Sequence, residues 1–322
     1  MVTPAEVTAF VAAHRALADA MGRVILGKQR TIALVLTALL ARGHVLLEDA
    51  PGTGKTQLAK ALAAVIDGKH ARVQFTPDLL PADVLGVNVY DQASGNFRFH
   101  PGPIFANVVL ADEINRASPK TQSALLEVME EGHATIDGQT WQTPTLFMVI
   151  ATQNPVEQLG VYRLPEAQLD RFLIKTTIGY PDREAGLAIL DEASDLDRSA
   201  RLSPVVAADQ VTAMARAATN VAVDRSVLDY ILRLAETTRA DPRVAIGVSV
   251  RGALALVRAA KVWALAAGRP YVIPDDVKAL AGPVLGHRII IDPEHQFAGV
   301  SQAAVVSDVL AATSPPADRA GA

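Results

Sequence analysis

Glu48-Asp49-Ala50-Pro51-Gly52-Thr53-Gly54-Lys55-Thr56 follows the apolar run Val45-Leu46-Leu47 and leads into a helix-forming stretch from about Thr56 to Ile66. Strand, glycine-rich turn and helix in that order form the setting a phosphate-binding loop requires. Gly52 and Gly54 let the backbone aim its N–H groups at phosphate oxygens, and the helix N-terminus adds partial positive charge. Lys55 has the reach for the β- and γ-phosphates, and the Thr56 hydroxyl suits a Mg²⁺ ion. Pro51, Gly52, Thr53, Gly54, Lys55, Thr56 and Gln57 therefore make up the expected nucleotide-binding loop. There is one departure: the position of the usual first glycine holds Asp49.

Working outward, strand-like segments recur at Arg72 to Phe75, Val108 to Ala111, Leu146 to Ala151 and Phe172 to Thr177. Helical stretches separate them, one opening at Ser118-Pro119, a good cap and first-turn pair. The alternation predicts a parallel sheet of five strands covered by helices on both faces. Two hairpins interrupt it. One lies in Pro77 to Pro103 around the turn Asp91 to Asn96; the other lies in Gly132 to Thr145 around Asp137-Gly138. Before the loop, helices are expected from Pro4 to about Met21 and from Gly27 to Arg42.

After Tyr180-Pro181-Asp182 the pattern becomes wholly helical, with helices over Asp182 to Ala193, Ala207 to Ala217, Asp224 to Arg239, Ser249 to Ala267 and Pro274 to Leu285. Asp224 reads as an N-cap, and Asp275 and Asp276 place acids in a first turn. The expected organisation is an αβα nucleotide-binding domain over 1–180, an all-helical domain over 181–313 and a disordered tail over 314–322. For 322 residues, two domains suit the usual ~100–200 residues per domain.

Composition narrows the function classes. The chain has no cysteine, which excludes disulfides, cysteine nucleophiles and cysteine-based zinc sites. A net charge of -4 gives no overall drive toward nucleic acid. The start Met-Val-Thr-Pro-Ala-Glu has no secretory pattern, and the longest apolar-rich run, Thr31 to Ala41, is far short of the ~20 residues that span a bilayer. The expectation is a soluble, cytoplasmic protein without a transmembrane segment.

Two further motifs carry chemistry. The strand Val108 to Ala111 ends in Asp112-Glu113, a Walker B pattern in which Asp112 binds Mg²⁺ and Glu113 orients and polarises the attacking water. Thr152-Gln153-Asn154-Pro155 follows another apolar strand, which places Asn154 to hold that water or touch the γ-phosphate.

With these residues in view, the sequence resembles the MoxR family of AAA+ ATPases from about Ile25-Leu26-Gly27 to about Leu285. The most specific stretches are Ala111 to Ala117 (A-D-E-I-N-R-A), Thr121 to Glu127 and Leu164-Pro165-Glu166-Ala167-Gln168-Leu169-Asp170-Arg171-Phe172. The resemblance implies a P-loop AAA+ core with two hairpin insertions and an all-α lid, working on ATP with Mg²⁺. It also implies a homo-oligomeric ring, commonly a hexamer, with ATP held between subunits. Arg171 then resembles an arginine finger for the neighbouring subunit, with Arg163 as the other candidate. Arg251 resembles the sensor 2 arginine that reaches from the lid to its own subunit's nucleotide. Ile25, Leu26 and Gly27 resemble the segment lining the adenine pocket, although apolar residues there also suit plain core.

Relatives of this kind imply chaperone-like maturation or activation of a client protein complex, often with a von Willebrand factor A domain partner. Phe97, Phe99, His100 and Trp141 of the hairpins either meet such a client or pack the hairpins themselves. A magnesium-chelatase-like motor subunit and a nucleic-acid-associated ring motor are the alternatives. Against the latter, the hairpin Gly132 to Thr145 contains no Lys or Arg, which leaves no nucleic-acid partner expected.

Overall fold

The computed structural model describes residues 2–50, 52–154, 162, 164–191 and 198–316. In chain order its elements are α1 (Pro4–Gly22), α2 (Gln29–Leu40), β1 (Val45–Glu48), α3 (Lys55–Val65), β2 (His70–Gln74), α4 (Pro81–Leu85), β3 (Gly86–Asp91) and β4 (Asn96–Pro101). Next come β5 (Val108–Asp112), α5 (Pro119–Glu131), β6 (His133–Ile136), β7 (Gln139–Gln142), β8 (Met148–Gln153), α6 (Glu166–Leu169) and β9 (Ile174–Thr176). The remainder runs α7 (Arg183–Asp191), α8 (Ala208–Thr219), α9 (Arg225–Ala240), β10 (Val244–Ile246), α10 (Val250–Ala266), α11 (Pro274–Leu285), β11 (Ile290–Ile291), α12 (Pro293–Phe297) and α13 (Gln302–Ala312).

The main sheet has five parallel strands in the order β2-β5-β8-β1-β9. Its central strands are apolar except at their carboxyl ends, at Glu48, Asp112, Thr152 and Gln153, because both faces are covered. Val45, Leu47, Val108, Leu110, Met148 and Ile150 join the core under α1, α2, α3 and the C-terminal helices. Leu46, Val109, Ala111, Val149 and Ala151 point the other way, into the core under α4 and α5. This is the two-residue alternation of a strand, with greasy layers on both sides.

Every expected strand is present, displaced by at most two residues at either end. The two hairpins form as separate antiparallel pairs, β3 with β4 and β6 with β7. They are tied to each other by Asn88 Nδ2 donating to Asp137 Oδ2 at 2.9 Å and by Phe99 stacking on Trp141 with centroids 4.2 Å apart. Phe99 and Trp141 thus pack, while Phe97 and His100 stay exposed, Phe97 beside Tyr90 at 5.4 Å.

The expected caps also form. The Ser118 hydroxyl accepts the Thr121 N–H and the Asp224 carboxylate accepts the Ser226 N–H. Beyond Leu285 the lid adds α12, α13 and a small β10–β11 pair to its helices. Of the tail expected to be disordered, Ser314 is anchored, its carbonyl accepting from Arg233 Nη1 at 3.0 Å; 317–322 lie outside the described residues. Among the described residues no helix is long and apolar enough to cross a membrane.

The lid docks on the core through guanidinium groups reaching backbone carbonyls. Arg288 Nε donates to Asp170 Oδ1 at 2.6 Å, and its Nη2 donates to the carbonyls of Asp170 and Phe172. Arg258 Nη2 donates to the carbonyl of Ala41 at the end of α2. Burying such charges is tolerated only with full hydrogen bonding, which these carbonyls and Asp170 supply.

Candidate nucleotide site

Parallel strands bring their carboxyl ends to one edge, so the segments after β1, β5 and β8 converge there. They line a cleft of about 280 Å³ with Gly52, Thr53, Gly54, Lys55, Thr56, Gln57, Asp112, Glu113, Thr152 and Asn154 on its walls. Most of the expected site residues of the core thus meet in one place, while Ile25, Leu26, Gly27 and Arg171 do not line it; Pro51 and Arg163 lie outside the described residues.

Gly52 and Gly54 have φ of 81° and 91°, a left-handed backbone that favours glycine even though a Cβ there would meet no neighbour. Lys55 folds back on the loop, its Nζ donating to the Ala50 carbonyl at 2.8 Å and the Asp49 carbonyl at 3.4 Å. Its ammonium is thereby kept at the loop.

Register builds the acidic side. Ala111 pairs with Ala151, which sets Asp112 next to Thr152. The Thr152 hydroxyl donates to Asp112 Oδ1 at 2.6 Å and accepts the Glu113 N–H at 2.9 Å, bridging the two acids. Glu113 has φ 56°, an uncommon conformation for a residue with a Cβ, and this hydrogen bond helps to hold it. Its carboxylate accepts from Gln74 Nε2 and Arg116 Nη1, both at 2.9 Å. Arg72 Nη2 reaches Asp112 Oδ2 at 2.7 Å. Arg72 and Gln74 were not legible as site residues: they sit on β2, and only the register Gln74 to Asp112 brings them to the cleft.

The donor set fits a magnesium ion carried by a nucleotide. The hard oxygens on offer are the Thr56 hydroxyl and the Asp112 carboxylate, and among the described residues no group of three His, Cys, Asp or Glu forms a cage. Magnesium is commonly held by one or two such protein groups with phosphates and water completing the octahedron.

A second pocket, about 430 Å³, opens from the first and shares Gly52, Thr53, Gly54 and Gln57 with it. Its other walls include Val24, Ile25, Leu26, Lys28, Ile178, Gly179, Pro181, Ile189 and Arg198. Ile25 serves both readings, since it belongs to the core and lines the pocket. Gly27 is a turn, with φ 70° and α7 close by: a Cβ there would stand 3.2 Å from Asp182 Oδ2. Ile178, Pro181 and Arg198 are walls that sequence reading missed, because they arrive from the far end of the core and from the lid.

The arginines are placed differently. Arg251 does not line the cleft of its own subunit, which corrects the reading of it as a lid arginine reaching its own nucleotide. Its Nη2 donates to Glu130 Oε1 at 2.9 Å, and Arg171 Nε donates to Glu130 Oε2 at 2.8 Å. The physical reason is the docking of the lid: Arg288 fixes α11 and the 3₁₀ turn after it on Asp170, and Arg251 Nε lies 3.7 Å from the same carboxylate. Asp170 is taken by Arg288, and Arg171 pairs with Glu130 instead. Burial raises the Glu130 carboxyl, but Arg251 and Arg171 outweigh it and hold it below the usual range.

Comparison with known proteins agrees with this fold. Residues 44–174 match the model of the ATPase family associated with various cellular activities (AAA), and 236–309 match the AAA lid domain. A Bacillus subtilis protein, YeaC, is 49% identical over 93% of each chain. Chaperone MoxR1 of Mycobacterium tuberculosis is 40% identical over 91% of this chain and 80% of its own. A solved structure from Cytophaga hutchinsonii superimposes with a TM-score of 0.90 at 36% identity, covering 97% of both chains. A phosphate loop joined to paired acids on a five-stranded parallel sheet, closed by a helical lid and matched along nearly its whole length, places this chain in the MoxR family of AAA+ ATPases.

Proposed function

We propose that this ATPase works as a homo-oligomeric ring, commonly six subunits in such machines, in which each cleft is completed by Arg171 and Arg251 of the neighbouring subunit. The observation that carries the reading is the meeting of both arginines on Glu130, outside the cleft whose charge they are suited to neutralise. Pro51 to Gln57 hold the triphosphate, and Ile25, Leu26 and the Gly27 turn form the base side. Thr56 and Asp112 would hold Mg²⁺, which supplies charge neutralisation on the phosphates. Glu113 would position and polarise the attacking water, and Asn154, on the wall of the same cleft, would read the γ-phosphate. In the free subunit Gln74 and Arg116 occupy the Glu113 carboxylate, so it must exchange these partners for water before it acts.

The division near residue 180 into an αβα domain and a lid ending about 313 gives the motor its moving parts. Hydrolysis removes the γ-phosphate that bridges subunits and releases the lid–core geometry. The exposed hairpin side chains Phe97, Tyr90 and His100 would pass that motion to a client. The client is a protein complex matured or activated in a chaperone-like manner in the cytoplasm, with a von Willebrand factor A domain protein as adaptor. The MoxR1 relative, named a chaperone, supports this reading.

The test is Mg²⁺-dependent ATP hydrolysis per subunit across a protein dilution series, with Glu113→Gln as control. Activity that requires Glu113 and falls steeply on dilution is expected. Undiminished turnover in a demonstrated monomer would overturn the shared site.

A further inference from the structure

We infer that Asp49, at the position where phosphate loops usually carry a glycine, is a positioning residue that locks the base-side wall of the nucleotide pocket to the phosphate loop. The inference rests on the base-pocket reading above. Asp49 is 6% exposed, and each of its polar parts holds a different segment. Its N–H donates to the Gln153 carbonyl at 3.2 Å, beside Asn154. Its carbonyl accepts from Lys55. Its carboxylate accepts the N–H of Ile178 at 2.5 Å on one oxygen and the N–H of Gly179 at 2.9 Å on the other.

Ile178 and Gly179 belong to the connector that leaves β9, walls the base pocket and enters the lid. Two other contacts grip this connector from its carbonyl side. Thr31 Oγ1 donates to the Thr177 carbonyl at 3.0 Å, and Lys28 Nζ donates to the Tyr180 carbonyl at 2.6 Å. Asp49 supplies the complementary acceptor for its N–H groups. The arrangement needs a carboxylate. Glycine offers no acceptor. Asparagine keeps the shape, but its amide nitrogen would face an N–H, donor against donor. A buried N–H left without an acceptor is costly, so the connector would swing away or admit water.

The consequence is selective. Phosphate contacts come from the loop backbone and Lys55, which an Asp49→Asn change leaves in place. Contacts to the adenosine half depend on where Ile178 and Gly179 sit. Asp49 therefore couples base recognition, and through the connector the root of the lid, to the phosphate loop.

The experiment is calorimetric titration of the full chain, wild type and Asp49→Asn, with ATP, ADP and inorganic tripolyphosphate. Loss of a charge-assisted bond predicts a Kd for ATP and ADP raised about tenfold, with that for tripolyphosphate changed less than about twofold. Should Asp49→Asn fold poorly, Thr31→Val releases the same connector from its other side and is expected to give the same selectivity with a smaller shift. Equal weakening of ATP and tripolyphosphate by these variants, or no change in either, would overturn the coupling. Wild-type protein that binds tripolyphosphate as tightly as ATP would instead overturn the base pocket itself.

Discussion

The phosphate cleft and the Glu130 cluster carry charge in opposite ways. In the cleft, each acid and base is satisfied by near neighbours on the same sheet edge: Arg72 on Asp112, Gln74 and Arg116 on Glu113, loop carbonyls on Lys55. At Glu130, two guanidinium groups share one carboxylate on a surface where Arg251 is half exposed. Counting Asp170, which Arg288 holds and Arg251 approaches at 3.7 Å, two carboxylates face three guanidinium groups, so the cluster keeps an excess positive charge suited to a stronger anion. The first region is a binding site that one chain assembles. The second is, on the proposed reading, a donor array meant for the nucleotide of a neighbouring subunit. On that reading, the difference means that each subunit brings half of an active site to each of two faces.

Substitutions separate the two regions. Removing the finger, Arg171→Ala, is expected to have the largest effect: kcat falls by ~10³-fold or more in the assembled protein while ATP affinity changes little. Steady-state kinetics beside equilibrium nucleotide binding checks it, and a parallel loss of affinity would put Arg171 in the binding set instead. Glu113→Gln should lower kcat by ~10²–10⁴-fold with ATP still bound, since only the positioning and polarisation of water is removed. Lost binding there would mean that the carboxylate shapes the pocket. Glu130→Ala should cost about tenfold in kcat at saturating ATP, because Arg171 and Arg251 lose their common anchor and with it their preorganisation. An unchanged kcat would mean that the neighbour alone orders them.

The smallest effect is on stability. His44 stands at the amino end of β1, on the side of the Glu130 cluster, its Nε2 donating to the Met129 carbonyl of α5 and its Nδ1 accepting the Val149 N–H of β8, both at 3.0 Å. Burial pushes its imidazole down to about 4. The folded-state value is depressed, so the unfolded chain takes up its proton first as pH falls from about 6.5. Stability should therefore be constant above that range and decline toward pH 4, by about 3 kcal/mol from this group. The buried His287 acts in the same direction. Denaturant titrations at pH 7.5 and 5 measure it, and His44→Gln should flatten the difference.

What was legible in the sequence follows the range of the contacts. Gly52 to Thr56, Asp112-Glu113 and the five strands are written in short local patterns, and each appears where those patterns put it. Arg72 and Gln74 are ordinary strand residues until β2 pairs with β5. Arg251 was placed by resemblance on its own nucleotide; its true neighbours are set by Arg288 meeting Asp170 across 118 residues of chain. Asp49 read as a defect in a motif, because the N–H groups it holds belong to residues about 130 positions later. Helix α13 went unread since its buried stripe is only Val305, Val306 and Val309 among alanines.

The central claim, that each site is built from two subunits, is tested most directly by mixing two inactive variants. Arg171→Ala keeps an intact cleft, and Glu113→Gln keeps an intact finger. Mixed in equal amounts and allowed to exchange, they should recover up to about a quarter of wild-type activity, the share of interfaces in a cyclic assembly that pair a good cleft with a good finger. Mixed assemblies shown to form by tagged co-purification yet inactive at every ratio would contradict the account.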